Sequence, residues 1–322
     1  MTAPVSCVVD ATAPATRLAT LRIALGAFVS LSFAIRLPVF LELADRSADR
    51  FEPVGVATLL DRPVGEGVVA VVAAVTIAAA VAVALGWRHL VAGPVAALGA
   101  LLLTTYRSSW GQLLHFENLF VLLLMVVAFS PAADAWSLDA RRRRRDATAP
   151  PSGIGPDPDG STAYGWPLQL ACVVVVTTYL VAGVAKLRYG GVGWTSGDTL
   201  ANHVASSAAR LELFGATPAP FAASALRHGW LLTPAAVATV ALELLAPLAL
   251  FWRRFRPVWC VATWSMHVGI LAVMLIGFPT PLFGVAFLPF LRVERPILRV
   301  ADVARRRRPR PAGADGAHSS VA

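Results

Sequence analysis

The stretch VVAVVAAVTIAAAVAVALG, residues 68–86, decides the fold class because it is apolar almost throughout. It contains no charged residue, and its one polar side chain is that of Thr76. A helix needs about 20 mostly apolar residues to cross the hydrocarbon core of a bilayer. The stretch therefore predicts a membrane-spanning helix over 67–86.

Similar apolar runs recur along the chain, so we predict an all-α integral membrane protein with a bundle of about eight transmembrane helices. The last run is interrupted by prolines, which makes a re-entrant segment the alternative there. The predicted spans are 18–41, 67–86, 90–106, 112–130, 167–186, 233–252, 257–277 and 280–293.

Composition supports lipid as the main surroundings of this chain. Hydrophobic residues make up 57% of it and charged residues 15%, against about a quarter in ordinary soluble domains. The net charge of +9 would also suit a nucleic-acid partner. However, the arginine clusters flank apolar runs, where they orient a membrane protein, so we expect no nucleic acid. We expect the protein to lie in the lipid bilayer of the cell (plasma) membrane and to cross it several times.

The arginine clusters predict the orientation and the domain boundaries. If both termini are cytoplasmic, every dense cluster falls on the cytoplasmic side, as the positive-inside rule requires. Residues 1–16 are then a flexible N-terminal segment, and 17–295 form the transmembrane domain. Within it, 141–165 is a Pro/Gly-rich, disordered cytoplasmic linker, and 190–232 is an extracytoplasmic helical cap. Residues 296–322 form a basic, disordered cytoplasmic tail.

Lys186 is the strongest candidate for chemistry, because it is the one lysine among 28 basic residues. Arginine stays protonated in proteins, whereas a desolvated lysine can lose its proton. A chain that otherwise uses arginine therefore has a reason to keep lysine where a general base is needed. The alternative is a lysine at a helix end whose ammonium extends to the membrane surface.

The neighbours of Lys186 extend this candidate site. Tyr179 and Gly183 share its helix face, with a phenol two turns deeper and room for another helix or a flat ligand. His115 and Glu117 lie near the outer end of the fourth span. His115 would act as a proton shuttle or hydrogen-bond donor, or lie at the interface without a chemical role.

Two ionisable residues lie deeper in the predicted bundle. Glu243 and His267 are each about ten residues from the ends of their spans, near the middle of the membrane. We predict a structural contact between them, because an unpaired charge there would be costly. His267 shares a face with Trp264, which predicts either core packing or a slot of the size of a quinone.

Six stretches resemble the HTTM family, the membrane domain of vitamin K-dependent gamma-carboxylases. The most specific is YLVAGVAKLRYGGVGWTSGDTL (179–200), with AGVAKL at its centre. The others are LRIALGAFVSLSFAIR with the later FEPVGVATLL, HFENLF with the later SPAADAWSLDA, and WSMHVGILAVML. Together they cover most of residues 17–295.

The resemblance implies that Lys186 deprotonates vitamin K or menaquinone hydroquinone and that His115 assists. Tyr179, Gly183, Glu117, His267 and Trp264 would then contact the quinone, and no metal is implied. In the family, the hydroquinone anion reacts with O₂ to give a strong base and finally an epoxide. That base takes a γ-proton from glutamate in a secreted peptide, and CO₂ adds to the carbanion.

The stretches that carry the resemblance belong to the membrane part of the carboxylases, and we expect no equivalent of the large lumenal domain that helps to hold the peptide. Two functions are therefore predicted. The first is a quinone-dependent carboxylase-like enzyme or epoxidase. The alternative is a non-enzymatic membrane scaffold, transporter or immunity-type protein that retains only the fold.

Overall fold

The computed structural model describes residues 12–146 and 160–298. Within these residues there is no β-strand, only an isolated antiparallel bridge between Ala13 and Ser161. The predicted all-α class is therefore confirmed. The helices in chain order are α1 Ala15–Ala44, α2 Glu66–Leu85, α3 His89–Ser108, α4 Asn118–Ala128, α5 Leu138–Arg145, α6 Thr162–Gly190, α7 Gly197–Leu213, α8 Ala222–Arg227, α9 Leu232–Leu244, α10 Leu248–Phe251, α11 Phe255–Met274 and α12 Pro279–Leu282.

Five of the predicted spans form helices long and apolar enough to cross a membrane, namely α1, α2, α3, α6 and α11. The fourth span is shorter, because a 3₁₀ turn over His115–Glu117 precedes α4. Large apolar side chains on the long helices are exposed, which suits contact with lipid acyl chains. Examples are Leu31, Ile35, Val71, Leu90 and Val261.

The sixth and eighth predicted spans are not continuous helices. The sixth, 233–252, is divided into α9 and α10 at Pro247, which lacks an N–H and clashes with the preceding turn. The eighth, 280–293, consists of the single turn α12 and a 3₁₀ segment over Val285–Phe290, with prolines in both. One uninterrupted span over 280–293 is thus wrong, for the reason that its prolines indicated.

Small residues allow consecutive helices to pack closely. A Cβ atom on Gly26 of α1 would lie 2.6 Å from the backbone nitrogen of Ala84 in α2. In the same way, a Cβ on Gly93 of α3 would lie 2.9 Å from Cα of Ala128 at the end of α4. The α1–α2 and α3–α4 pairs therefore approach each other closely enough for backbone contact. Helix α6 packs against α4 and α1.

The segments between the spans differ in part from the predictions. Residues 141–145 of the predicted linker belong to α5, whose first turn is capped by the Ser137 hydroxyl. Residues 147–159 of the linker lie outside the described residues, as do residues 1–11 and 299–322. Residues 162–165 of the predicted linker belong to the first turn of α6. The predicted cap, 190–232, is helical and consists mainly of α7 and α8.

Candidate functional site

A cavity of about 320 Å³ lies among α6, α7, α9 and α11, beside the His115 turn. This volume is at the lower end of the ~300–1,000 Å³ found for small-molecule sites. Most of the wall is apolar or aromatic. The polar and ionisable side chains that line it are His115, Thr178, Tyr179, Lys186, His203, Ser207, Thr239, Glu243 and His267.

Lys186 and Glu243 form an ion pair across the wall of this cavity. The Lys186 Nζ atom donates to both carboxylate oxygens of Glu243, at 2.6 and 2.8 Å. The Glu243 side chain is 6% exposed and that of Lys186 is 21% exposed. The pair therefore joins α6 to α9 and neutralises the two charges at the cavity.

Two neighbours position this ion pair. Gly183 lies one turn before Lys186, and a Cβ there would be 2.9 Å from Cβ of Glu243. The missing side chain therefore allows α9 to approach α6 closely enough for the pair to form. On the other side, Lys186 Nζ lies 5.3 Å from the ring centroid of Trp194, a cation–π distance. The Trp194 ring in turn stacks on His203 at 5.1 Å.

Tyr179 and His267 form a second polar pair, deeper along α6. The Tyr179 hydroxyl and the His267 Nε2 atom are 2.8 Å apart, and both side chains are buried. The other ring nitrogen, Nδ1, is buried without a hydrogen-bond partner among the described residues. Such an atom costs about 1–3 kcal/mol unless water or a ligand pairs with it.

His115 is exposed at the rim of the same cavity, and no hydrogen bond fixes its ring within the described part of the chain. The structure thus brings together four of the predicted site residues, Lys186, His115, Tyr179 and His267. These side chains supply an ammonium, two imidazoles and a phenol to one cavity.

Three of the residues predicted to contact a quinone do not line the cavity. Gly183 packs against α9 instead. The exposed Trp264 indole donates to the Leu282 carbonyl at 3.0 Å. Glu117 is buried, and its Oε1 atom accepts from Arg36 at 2.7 Å and from Arg107 at 2.6 Å. Glu117 therefore joins α1 and α3 to the turn before α4.

The predicted contact between Glu243 and His267 is replaced by two other pairs. Glu243 binds Lys186, and His267 binds Tyr179. Sequence reasoning therefore missed Glu243 as the partner of the candidate base. It also treated Trp194 and His203 only as parts of the cap, although both line the cavity. For Trp194 the available signal was its position in the stretch 179–200 after Lys186, whereas His203 lies beyond that stretch.

The arrangement is suited to proton transfer next to an apolar ligand. Both oxygens of Glu243 lie within hydrogen-bond distance of Lys186 Nζ, so the geometry gives a direct path for a proton between the two groups. Paired ionisable groups that line a cavity are typical of functional sites.

The comparisons with known proteins add a family assignment. The family model described as HTTM domain matches residues 12–291, which is most of the chain. No curated protein and no solved structure matches the chain. The match includes every helix that contributes to the cavity. The chain therefore belongs to the HTTM domain family.

Proposed function

We propose that this HTTM-domain membrane protein binds a reduced vitamin K or menaquinone head group in the Lys186 cavity and oxidises it with O₂ to the epoxide. The observation that carries the proposal is the Lys186–Glu243 pair at the edge of an apolar cavity. A bound hydroquinone would supply all four electrons that reduce O₂ and both protons of the water, because hydroquinone and O₂ together give the quinone epoxide and water.

The lining of the cavity fits such a head group. Phe116 and Phe278 offer aromatic surfaces, and Leu119, Met266 and Ile270 offer apolar ones. A flat bicyclic ring with two hydroxyls needs that combination of apolar walls and a few polar groups. The polar groups available to its hydroxyls are those of Lys186, Tyr179, His267 and His115.

In this proposal Lys186 accepts the hydroquinone proton at Nζ. To do so it must be a neutral amine, so the proton that Nζ shares with Glu243 must reside on the carboxylate. Glu243 is therefore a positioning residue and a temporary proton acceptor. His115, at the rim, would take the second proton or orient the second hydroxyl. The apolar wall excludes the water that would otherwise quench a strong base.

The test uses the purified full chain in nanodiscs of phosphatidylcholine. A chemically reduced menaquinone and oxygenated buffer are added, and epoxide is measured by liquid chromatography with mass spectrometry. We expect epoxide above the protein-free level. Both Lys186→Ala and Lys186→Arg should lower its rate on the order of a hundredfold, the usual contribution of a general base. Arg188→Ala, which removes an exposed cation two residues away, is the matched control.

Glu243→Gln tests the shared proton, because the amide still accepts a hydrogen bond but cannot take up a proton. A large loss of epoxide per amount of folded protein is expected. Epoxide formation that is equal in Lys186→Ala and in the unchanged protein would refute the role of Lys186. A second arm adds a synthetic glutamate-containing peptide and ¹³C-bicarbonate, and a peptide that gains labelled CO₂ would extend the proposal to carboxylation.

The ion pair also favours a second candidate function, that of a non-enzymatic membrane scaffold, transporter or immunity-type protein. In that case the pair serves only to hold α6 against α9. Lys186→Arg separates the two candidates, because arginine keeps the ion pair but cannot give up its proton. A scaffold should tolerate the change, whereas an enzyme with a lysine base should not.

A further inference from the structure

A second cavity, of about 270 Å³, lies near the other end of α6. Gln169 contributes to its wall, and this residue is 17 positions before Lys186, so about 25 Å separates the two along the helix. The second cavity is therefore distinct from the Lys186 cavity. Four arginines line it, namely Arg17, Arg253, Arg256 and Arg292.

These arginines come from separate parts of the chain. Arg17 is in the first turn of α1, Arg253 and Arg256 lie at the α10–α11 junction, and Arg292 follows the last 3₁₀ segment. Folding must therefore bring the four guanidinium groups together. Like charges repel, so a cluster assembled from distant segments needs a compensating interaction.

The described residues supply only one carboxylate to this cluster through an ion pair. Glu294 accepts from Arg17 at 2.8 Å. Arg256 donates instead to the carbonyls of Ala249 and Leu250, at 2.8 and 2.9 Å. These carbonyls fix its guanidinium but leave the charge in place. The cluster therefore keeps a positive excess.

The titration of Arg292 reflects that excess. The positive charge of Arg295 lowers the pKa of the Arg292 guanidinium, and partial burial, Arg17 and Arg253 lower it further. Glu294 opposes them but does not reverse the shift. An anion bound among these groups would relieve this repulsion.

We infer that the arginine cavity binds a phosphate group, either in the head group of an anionic lipid or in a soluble phosphate compound. Guanidinium groups match phosphate oxygens with paired hydrogen bonds and are more weakly hydrated than ammonium groups. Gln169 also lines the cavity, and its amide NH₂ group can donate to a phosphate oxygen. A basic pocket between helices at the predicted cytoplasmic end is a suitable position for a lipid head group.

Native mass spectrometry of the full-length protein tests this inference. Delipidated protein in detergent is titrated with phosphatidylglycerol, with phosphatidylcholine and, separately, with inorganic pyrophosphate. We expect phosphatidylglycerol to bind on the order of tenfold more tightly than phosphatidylcholine. The double variant Arg253→Ala/Arg292→Ala should lose this preference, and both residues are exposed, so folding should be preserved.

The matched control is Arg144→Ala/Arg145→Ala, which removes the same charge from α5 on the predicted cytoplasmic side. Retention of the preference in the control, with loss in the test variant, supports a lipid phosphate. Pyrophosphate binding with the same dependence on Arg253 and Arg292, without a lipid preference, supports a soluble phosphate compound. Equal losses in both variants, or no preference and no pyrophosphate binding, would overturn the inference.

Discussion

The two cavities near opposite ends of α6 differ in whether their charged side chains are ion-paired within the protein. At the Lys186 cavity the cation is paired with a carboxylate, and the surrounding wall is largely apolar. At the arginine cavity four cations share the one carboxylate of Glu294. A charge in an apolar wall is costly unless a group of the protein pairs with it. Charges at a solvent-accessible end of the bundle are hydrated and can be paired by a bound anion instead. The ion pair therefore suits the Lys186 cavity to proton transfer, whereas the excess of cations suits the arginine cavity to anion binding.

The largest expected effect comes from removing one partner of the paired site. Glu243→Ala leaves the Lys186 ammonium without its carboxylate, which should lower the free energy of unfolding by about 3 kcal/mol, the usual cost of breaking a buried ion pair. The measurement is unfolding from neutral micelles by titration with sodium dodecyl sulfate. Arg253→Ala at the other cavity should change the same quantity by less than about 0.5 kcal/mol. Equal effects of the two substitutions would mean that pairing does not distinguish the cavities.

The second effect concerns the deeper pair of the Lys186 cavity. Tyr179→Phe removes the hydroxyl that contacts Nε2 of His267, leaving both nitrogens of that ring without partners. A loss of about 1–2 kcal/mol in unfolding free energy is expected from the buried, unsatisfied imidazole. Tyr189→Phe is the matched control, because Tyr189 is 83% exposed. If both substitutions lowered the free energy of unfolding by the same small amount, the Tyr179–His267 hydrogen bond would not contribute to stability.

A smaller difference is expected in how salt changes the ligand affinity of the two cavities. An increase from about 0.05 M to 0.5 M potassium chloride shortens the Debye length from about 14 Å to about 4 Å. Phosphatidylglycerol binding at the arginine cavity should therefore weaken severalfold, while quinone binding at the Lys186 cavity stays nearly constant. Both affinities can be measured in the same nanodiscs, the second by quenching of tryptophan fluorescence. A strong effect of salt on quinone binding would contradict the paired state of Lys186 and Glu243.

The fold could be predicted from the sequence because long apolar runs report on local structure. The run at 68–86 corresponds to α2, and four others correspond to single long helices. The interruptions were partly visible as well, since prolines lie where the sixth and eighth spans break. The number of spans that cross fully was less predictable, because helix length depends on packing as well as on local composition.

The pairing of side chains could not be predicted in the same way. Lys186 and Glu243 were assigned to different depths by counting residues from the predicted span ends. They meet because α6 continues to Gly190 and α9 approaches it at Gly183. The offset between two helices is set by tertiary contacts, which the sequence of either helix does not record.

The cluster of Glu117 with Arg36 and Arg107 was not predicted, because Glu117 was assigned to the quinone site, although the sequence contained a signal for it. Arg36, Arg107 and Glu117 are all close to the predicted extracytoplasmic ends of their spans, so they share one level of the bundle. A buried carboxylate at that level needs cations, and these two were available. The structure joins them at 2.7 and 2.6 Å, and this accounts for two basic residues on the side that should carry few.

The smallest expected effect compares the two partners of Lys186, the Trp194 ring and the Glu243 carboxylate. Trp194→Leu removes the ring that lies 5.3 Å from Lys186 Nζ but leaves the ion pair with Glu243 in place. A partly exposed cation–π contact is worth about 0.5–1 kcal/mol, so a loss of that size in unfolding free energy is expected. Trp230→Leu is the control, because Trp230 is 73% exposed. A loss as large as that of Glu243→Ala would mean that the indole, and not the carboxylate, is the main partner of Lys186.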